Sequence, residues 1–570
     1  MKLTAKAGIL WHIAKWRMTW SKRDLDYCPA GLKNPRFMSA RKAVELIHDR
    51  AVVFSNGMAA NARTQIYFWA VRDRFDRTGH PRELTWITVG AQGSRGKVPG
   101  SLEELGVPGL VKVWIGGHLE TVKTFLKLGQ EGKMEIHRMA QGQQTFLLEA
   151  QARGEDSILA KAGVGTLLDP RVDNGTPVVK GVGQSLTIVE GEYLRYRLPK
   201  IEFAIFNAPY ADEEGNIYVR HAACVTENLE SSLAAKKNGG KVLVCVADII
   251  PKSEKEIFLA ADKVDAIVVN PRNEQTGSIP QRRYWEMFTE GAQVDVKDAV
   301  ERLRFANNIL KITPVRGSVE NALARMAAHL FTKVAKPGCY VNIGVGLPEE
   351  VCRLVYEGGL AKDVKFVVET GVLGGLPAMG VFFGAAINPE KIMTSAQIFH
   401  LCYEKLDVTI LGLLQADCQG NINVSKRGEG PINYVGPGGL PDLAASAKIL
   451  IFVGTWMAHA KMKIVDGKLK ILKPGTPKFV PKVDEITFNG QEALKAGKQV
   501  YYCTNVGIFR LTGRGMELIE VMPGVDIERD ITKSCTMKFV LPESGIVPTV
   551  SEDIVTGKGF KLEWKNKQRS

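Results

Sequence analysis

The chain has 570 residues, of which 45% are hydrophobic and 24% charged. That balance is typical of a folded globular protein and excludes a chain disordered throughout, a collagen-like chain or a disulfide-stapled miniprotein. Lys and Arg outnumber Asp and Glu by 75 to 61, a net charge of +14, which points either to a polyanionic partner or to a solvated basic surface.

Residues 1–38 read as a basic, tryptophan-containing extension. Ile9, Leu10, Trp11, Ile13, Trp16, Met18 and Trp20 alternate with Lys2, Lys6, Lys15 and Arg17. The apolar stretch is short, broken by charge and lacks a small-residue cleavage site, so no signal peptide is expected. Two readings stand here. One is a basic amphipathic helix that touches a membrane surface through residues 1–25. The other is an arm that packs its tryptophans on the body or on another subunit. No uninterrupted apolar run of ~18 residues occurs along the chain, so no transmembrane helix is predicted.

Residues 39–293 read as a first α/β half. Ala51-Val52-Val53-Phe54 runs into Ser55-Asn56-Gly57-Met58, a strand followed by a glycine turn and a helix. Further along, Ala211-Asp212-Glu213-Glu214-Gly215-Asn216-Ile217-Tyr218-Val219 has a near copy in Ala416-Asp417-Cys418-Gln419-Gly420-Asn421-Ile422-Asn423-Val424, 205 residues later (212 to 417). Lys241-Val242-Leu243-Val244-Cys245-Val246 matches Lys448-Ile449-Leu450-Ile451-Phe452-Val453, 207 residues later (241 to 448). Two matches in the same order at nearly one offset indicate two versions of one domain. Each copy reads as a strand pair around an Asp-x-x-Gly-Asn turn, a helix (Leu229–Lys237; Leu443–Lys448), then a β-branched run suited to a strand buried on both faces. The expected fold is therefore two homologous open α/β domains with largely parallel sheets.

Val294 to Ile312 reads as a charged helical connector, with residues 294–313 as the link. Residues 314–547 read as the second half. Tyr340-Val341-Asn342-Ile343 precedes Gly344-Val345-Gly346, again strand and glycine turn. Glu349 stands where a dinucleotide fingerprint needs its third glycine, so no Rossmann NAD site is expected. Backbone N–H groups ahead of a helix remain, suited to an anion or oxyanion, or a plain turn. Phe366-Val367-Val368 ends on Glu369, followed by Thr370-Gly371 and Gly374-Gly375. A carboxylate at the carboxyl end of a buried strand sits where open α/β sheets place their sites, and the same pattern also reads as a strand, a turn and an incidental Glu. Gly436-Pro437-Gly438-Gly439-Leu440-Pro441-Asp442-Leu443 is a second rigid glycine loop. Residues 548–570 read as a polar, basic tail, partly disordered.

No phosphate loop, zinc helix or Gly-x-Ser-x-Gly elbow is present. The nine Cys form no Cys-x-x-Cys pair. Their odd number and scatter fit a reducing cytosol, so a cytoplasmic location is expected.

Together these residues resemble the family I CoA-transferases, in the fused two-half form of the propionate and acetate CoA-transferases. The resemblance runs from about Ser39 to Pro542. Val368-Glu369-Thr370-Gly371 with Gly374-Gly375 resembles the family's glutamate motif. Gly344-Val345-Gly346 resembles its CoA-side turn, and Gly438-Gly439-Leu440-Pro441-Asp442 its second glycine loop. Gln141-Gly142 resembles a Gln-Gly pair beside the acyl pocket, and Gly163-Val164-Gly165-Thr166 with Asp169-Pro170-Arg171 matches a further segment.

The resemblance implies an acyl-CoA:carboxylate CoA-transferase with ping-pong kinetics, a short-chain acyl donor and a role in fatty-acid metabolism. Glu369 would be the nucleophile, forming a covalent glutamyl–CoA thioester. Gly344, Val345, Gly346, Gly438 and Gly439 would donate N–H groups to the oxyanions or CoA, with Lys461 as a CoA partner and Gln141 and Gly142 beside the acyl group. CoA would be a substrate and covalent intermediate, with no permanently bound cofactor, no metal and no nucleic-acid partner. A homo-oligomer is implied. The alternative is an acyl-CoA hydrolase on the same scaffold. Three features depart from the family: Ser55-Asn56-Gly57-Met58 is poorer in glycine, Phe399 to Asp407 is bulky where a glycine run is usual, and the first ~38 residues lack a counterpart in shorter relatives.

Overall fold

The structure is a computed structural model that describes residues 1–93, 98–273, 285–311 and 315–565. Two sheets organise it. In the first, the strands lie in the spatial order Ala266–Val269, Lys241–Ile249, Phe203–Ala211, Val52–Ser55, Leu84–Thr88, Val111–Gly116 and Glu135–Arg138, all parallel. In the second, Val364–Val368, Cys339–Ile343, Leu406–Gly412, Ile449–Val453 and Gln499–Thr504 form a parallel centre. Antiparallel strands extend both of its edges. The apolar runs are buried on both faces because helices cover both sides of a parallel sheet. Five neighbouring strands follow one order in both sheets, so the repeat in sequence is a repeat in topology.

The repeated turns are built alike. The Asp212 carboxylate accepts from the Asn216 backbone N–H at 2.9 Å and from its side-chain amide at 2.8 Å. Asp417 accepts from the two corresponding groups of Asn421 at 3.0 and 3.1 Å. The aspartate closes the turn through its own side chain, which is why the motif persists in both copies.

The connector forms a helix over Val296–Leu310, started by Asp295, whose side chain accepts from the Asp298 N–H. It packs against an N-terminal helix, Leu3–Thr19. Residues 548–565 of the basic tail pack on the second half. Ile554, Val555, Leu562 and Trp564 enter the core of the second half, and Trp564 Nε1 donates to Asp363 at 3.0 Å. The lysines between these anchors made the segment look solvated. Full burial of one large apolar side chain is worth about 1.5–3 kcal/mol, enough to hold a short segment down.

No helix among the described residues is long and apolar enough to cross a membrane. All nine cysteines are free, and seven of them are buried.

Candidate active site

Glu369 stands directly after the strand Val364–Val368, at the carboxyl end of the second sheet. The chain then turns back at Gly371 into the short strand Val372–Leu373. Glu369 is half-buried. Its carboxyl is nonetheless closely surrounded. Burial pushes its pKa up to about 7, and the nearby charge of Asp442 adds to the rise. A methyl carbon built on Gly439 would overlap Oε1 of Glu369 and lie 3.4 Å from Oε1 of Gln141. The glutamate, the second glycine loop and the start of a first-half helix thus meet at one point.

That helix, Gln141–Arg153, is pinned to the second half at its first turn. The Gln141 N–H donates to Gly438 O at 3.1 Å, and the Gly438 N–H donates to Gly117 O at 2.9 Å. Asp442, fully buried, accepts from the Gly142 N–H at 2.7 Å and from Gln143 Nε2 at 2.6 Å, with the Tyr403 hydroxyl donating to it at 3.3 Å. Gly142 must be glycine, since a Cβ there would lie 2.6 Å from Asp442 Cγ. Burial pushes the Asp442 carboxyl up to about 6, while these donors pull the other way.

A second seam lies behind Glu369. The Thr226 N–H donates to Thr370 O at 3.3 Å, and Thr226 O accepts from the Ser395 N–H at 2.8 Å. Thr226 holds a φ of +56°, costly for a β-branched residue and a mark of a constrained site. Asn61 Nδ2 donates to Phe383 O at 2.9 Å, and Thr394 Oγ1 donates to Glu230. Next to Thr226, Glu227 is fully buried. Hydroxyls of Ser395 and Thr226 and the Gly57 N–H face its carboxyl without closing a well-formed hydrogen bond. Burial pushes Glu227 from its ordinary 4.5 up to about 7.

In that window the folded chain holds a proton that the unfolded chain releases. The stabilisation is complete below the ordinary value and is lost as pH rises through about 7. Glu227→Gln, which cannot ionise, is therefore expected to stabilise the protein at about pH 8 by ~1–3 kcal/mol and to have little effect near pH 5. Thermal midpoints of both proteins at the two pH values check this. An equal difference at both would show that Glu227 is not the titrating group.

The predicted site residues divide. Glu369, Gln141, Gly142, Gly438 and Gly439 come together. Gly438 has its N–H committed to Gly117 and Gly344 to Ile410 at 2.8 Å, so those two N–H groups serve the scaffold. Val345 and Gly346 sit at the carboxyl end of the neighbouring strand, Cys339–Ile343, just before the helix Leu347–Glu357. Gly346 adopts φ +95°, which a side chain would strain. Lys461 opens an exposed hairpin, Lys461–Val465 with Lys468–Lys473, outside the cluster around Glu369. The segment at Gly163–Arg171 is an inter-half contact: the Leu167 N–H donates to Ile486 O at 2.7 Å, and Gly165 O accepts from Asn489 at 2.9 Å. Among the described residues no cluster of His, Cys, Asp and Glu is arranged to hold a metal.

In the sequence Asp442 and Tyr403 stand out only as members of longer stretches, and Gln143, Thr226, Glu227 and Glu230 do not stand out at all. For Asp442 a signal existed: an acid one residue after a proline, in a loop otherwise glycine and apolar, is suspect because buried carboxylates are rare unless paired or used.

No family model matches the chain. It is 32% identical over 534 residues to a caffeate CoA-transferase of Acetobacterium woodii, covering 91% of this chain and 96% of the relative. It is also 32% identical over 507 residues to the acetate CoA-transferase YdiF of Escherichia coli K12, covering 87% and 90%. Among solved structures it is similar to the apoenzyme of the acyl-CoA transferase YdiF from E. coli O157:H7, with TM-score 0.80 and 26% identity over 94% of this chain and 97% of that one. A thioester complex of the same enzyme with CoA superposes at TM-score 0.79 and 27% identity, over 92% and 97%.

Proposed function

This chain belongs to the family I CoA-transferases in their fused two-half form, and we propose that it moves CoA from a short-chain acyl-CoA to a free carboxylate through a covalent intermediate on Glu369. Ionised Glu369 attacks the thioester carbonyl, and CoA leaves as thiolate. The acyl group is then held as a mixed anhydride. Thiolate attacks the glutamyl carbonyl, the acyl carboxylate departs, and a glutamyl–CoA thioester remains. A second carboxylate reverses both steps and leaves as the new acyl-CoA. One thioester replaces another, so no external energy source enters the balance.

The observation that carries this reading is the crowding of Glu369 by Gly439 and Gln141. Two halves of the chain supply those neighbours, and a reacting carbonyl attached to Glu369 would lie against them. The N–H groups of Gly439, Val345 and Gly346 are the proposed oxyanion donors. Each such donor is typically worth ~10²–10³ in rate. Gln141 and Gly142 border the proposed acyl pocket. Lys461 is the proposed distal contact for CoA phosphates.

The test is intact-protein mass spectrometry after mixing with a panel of acyl-CoAs, without acceptor, followed by borohydride. Reduction of a glutamyl thioester to the alcohol is expected to remove about 14 Da at Glu369, and Glu369→Ala is expected to remain unmodified. No mass change with any acyl-CoA that binds would refute the covalent route. CoA release that proceeds equally with and without a carboxylate acceptor would mark a hydrolase instead.

A further inference from the structure

The N-terminal helix has two apolar faces. Ile9, Ile13, Trp16 and Trp20 recur at helical spacing and turn inward. Ile13 and Trp16 are buried, and Ile9 and Trp20 pack beside them on the core of the second half. The helix is held in place. The amino terminus pairs with Glu301, and His12 meets Trp285 edge-on at 6.2 Å.

The opposite face carries Leu3, Ala7, Leu10, Trp11, Ala14 and Met18, again at positions that share one side of a helix. An anchored surface helix needs only its inward stripe to be apolar. Here Leu3 is 82% exposed, Trp11 and Met18 63% each, and Leu10 44%. Lys6 and Arg17 border the outer stripe on one edge, and Lys15 on the other. Lys2, Lys22 and Arg23 add to the charge, and no acidic residue precedes Asp24.

We propose that this outer face docks on an anionic lipid surface, with the helix lying in the interface plane. Exposed Trp and Leu between basic edges is the pattern that enters the headgroup region, where apolar burial and attraction to anionic lipid act together. Charge disfavours a second copy of this face as occupant. Two such helices face to face would set lysine and arginine edges against each other, with no carboxylate on the helix to offset them. The inference goes beyond CoA transfer and does not depend on it.

The test is flotation of the full-length protein with phosphatidylcholine vesicles, alone or with about a quarter phosphatidylglycerol. Binding is expected only to the anionic vesicles and is expected to weaken in ~0.5 M salt. Trp11→Ser with Met18→Ser is expected to lower the partition coefficient by more than tenfold. Both positions are exposed, so the double variant is expected to keep the wild-type thermal midpoint and turnover in solution. Unchanged binding by the variant, absence of binding by the wild type, or equal binding to neutral vesicles would each overturn the proposal. A drop in sedimentation mass of the variant would overturn it too, by showing that the face joins two subunits.

Discussion

Glu369→Gln is expected to lower kcat/KM by ~10⁵-fold or more, the scale on which losing a covalent nucleophile is felt. The amide keeps the shape and nearly the volume of the carboxyl, so packing against Gln141 and Gly439 survives. What disappears is the anionic oxygen that attacks the thioester in the proposed chemistry. Gly439→Ala addresses the same contact from the other side. The backbone at Gly439 (φ −84°, ψ −2°) is open to any residue, so alanine introduces no dihedral strain there. Its methyl would, however, overlap the Glu369 carboxylate. Either the carboxylate swings away or the loop shifts, and a misplacement of about 1 Å costs ~10²-fold. With the proposed N–H donor displaced as well, a loss of ~10³-fold is expected, about 4 kcal/mol of barrier. The check is kcat/KM with an acyl-CoA and acceptor, beside the thermal midpoint. A Gly439→Ala enzyme with near-normal turnover would show that the contact is not part of the reacting geometry.

Both of those residues are legible in the sequence, for local reasons. An apolar run that ends on an acid and breaks into glycines marks the carboxyl end of a strand. The Asp-x-x-Gly-Asn turns were legible because each turn hydrogen-bonds to itself within five residues. The unread contacts share the opposite property. Thr226 meets Thr370 and Ser395, and Tyr403 meets Asp442 and Gln143, pairs drawn largely from different halves of the chain. No pattern within a window of either partner encodes such a meeting.

The bulky stretch at Phe399–Asp407 read as a departure from a glycine run. In the structure it is mostly the helix Ser395–Lys405, with Phe399 and Cys402 packed inward and Tyr403 completing the Asp442 cluster. The N-terminal segment was hard to read for another reason. Apolar stripes on two opposite faces cancel in any measure of amphipathicity, so a helix with a clear inward face looks like one with none. In the tail, a few anchors decide how the described residues 548–565 pack. Leu562 and Trp564 stand among Lys561, Glu563 and Lys565, and composition averages them away.

Asp442→Asn is expected to change the pH dependence as well as the rate. Asp442 does not touch the reacting atoms in the proposed chemistry. It is a positioning residue that holds the first turn of the Gln141–Arg153 helix against the glycine loop. In the variant one oxygen still accepts from the Gly142 N–H. The other atom becomes an NH₂ that confronts the Gln143 amide, where a hydrogen bond of 2.6 Å stood. Two donors face each other there, so Gln143 must turn and Gln141 loses its fixed place. A fall in kcat of ~10–10²-fold is expected from that loss of alignment. The electrostatic consequence has the opposite sign. In the proposed chemistry attack requires ionised Glu369, so activity is expected to rise with pH toward a plateau above about 7. Asp442 is largely ionised by then, since its own carboxyl sits at about 6, and its charge is part of what keeps Glu369 protonated. Removing that charge lowers the Glu369 pKa, while burial, the larger cause, still holds it above the ordinary glutamate value. The acid limb of kcat/KM is therefore expected to move to lower pH by ~0.5–1 unit. A purely structural role would reduce the rate and leave the limb in place. A limb displaced to higher pH would mean that Asp442 is protonated in the working enzyme and donates to its neighbours rather than repelling Glu369.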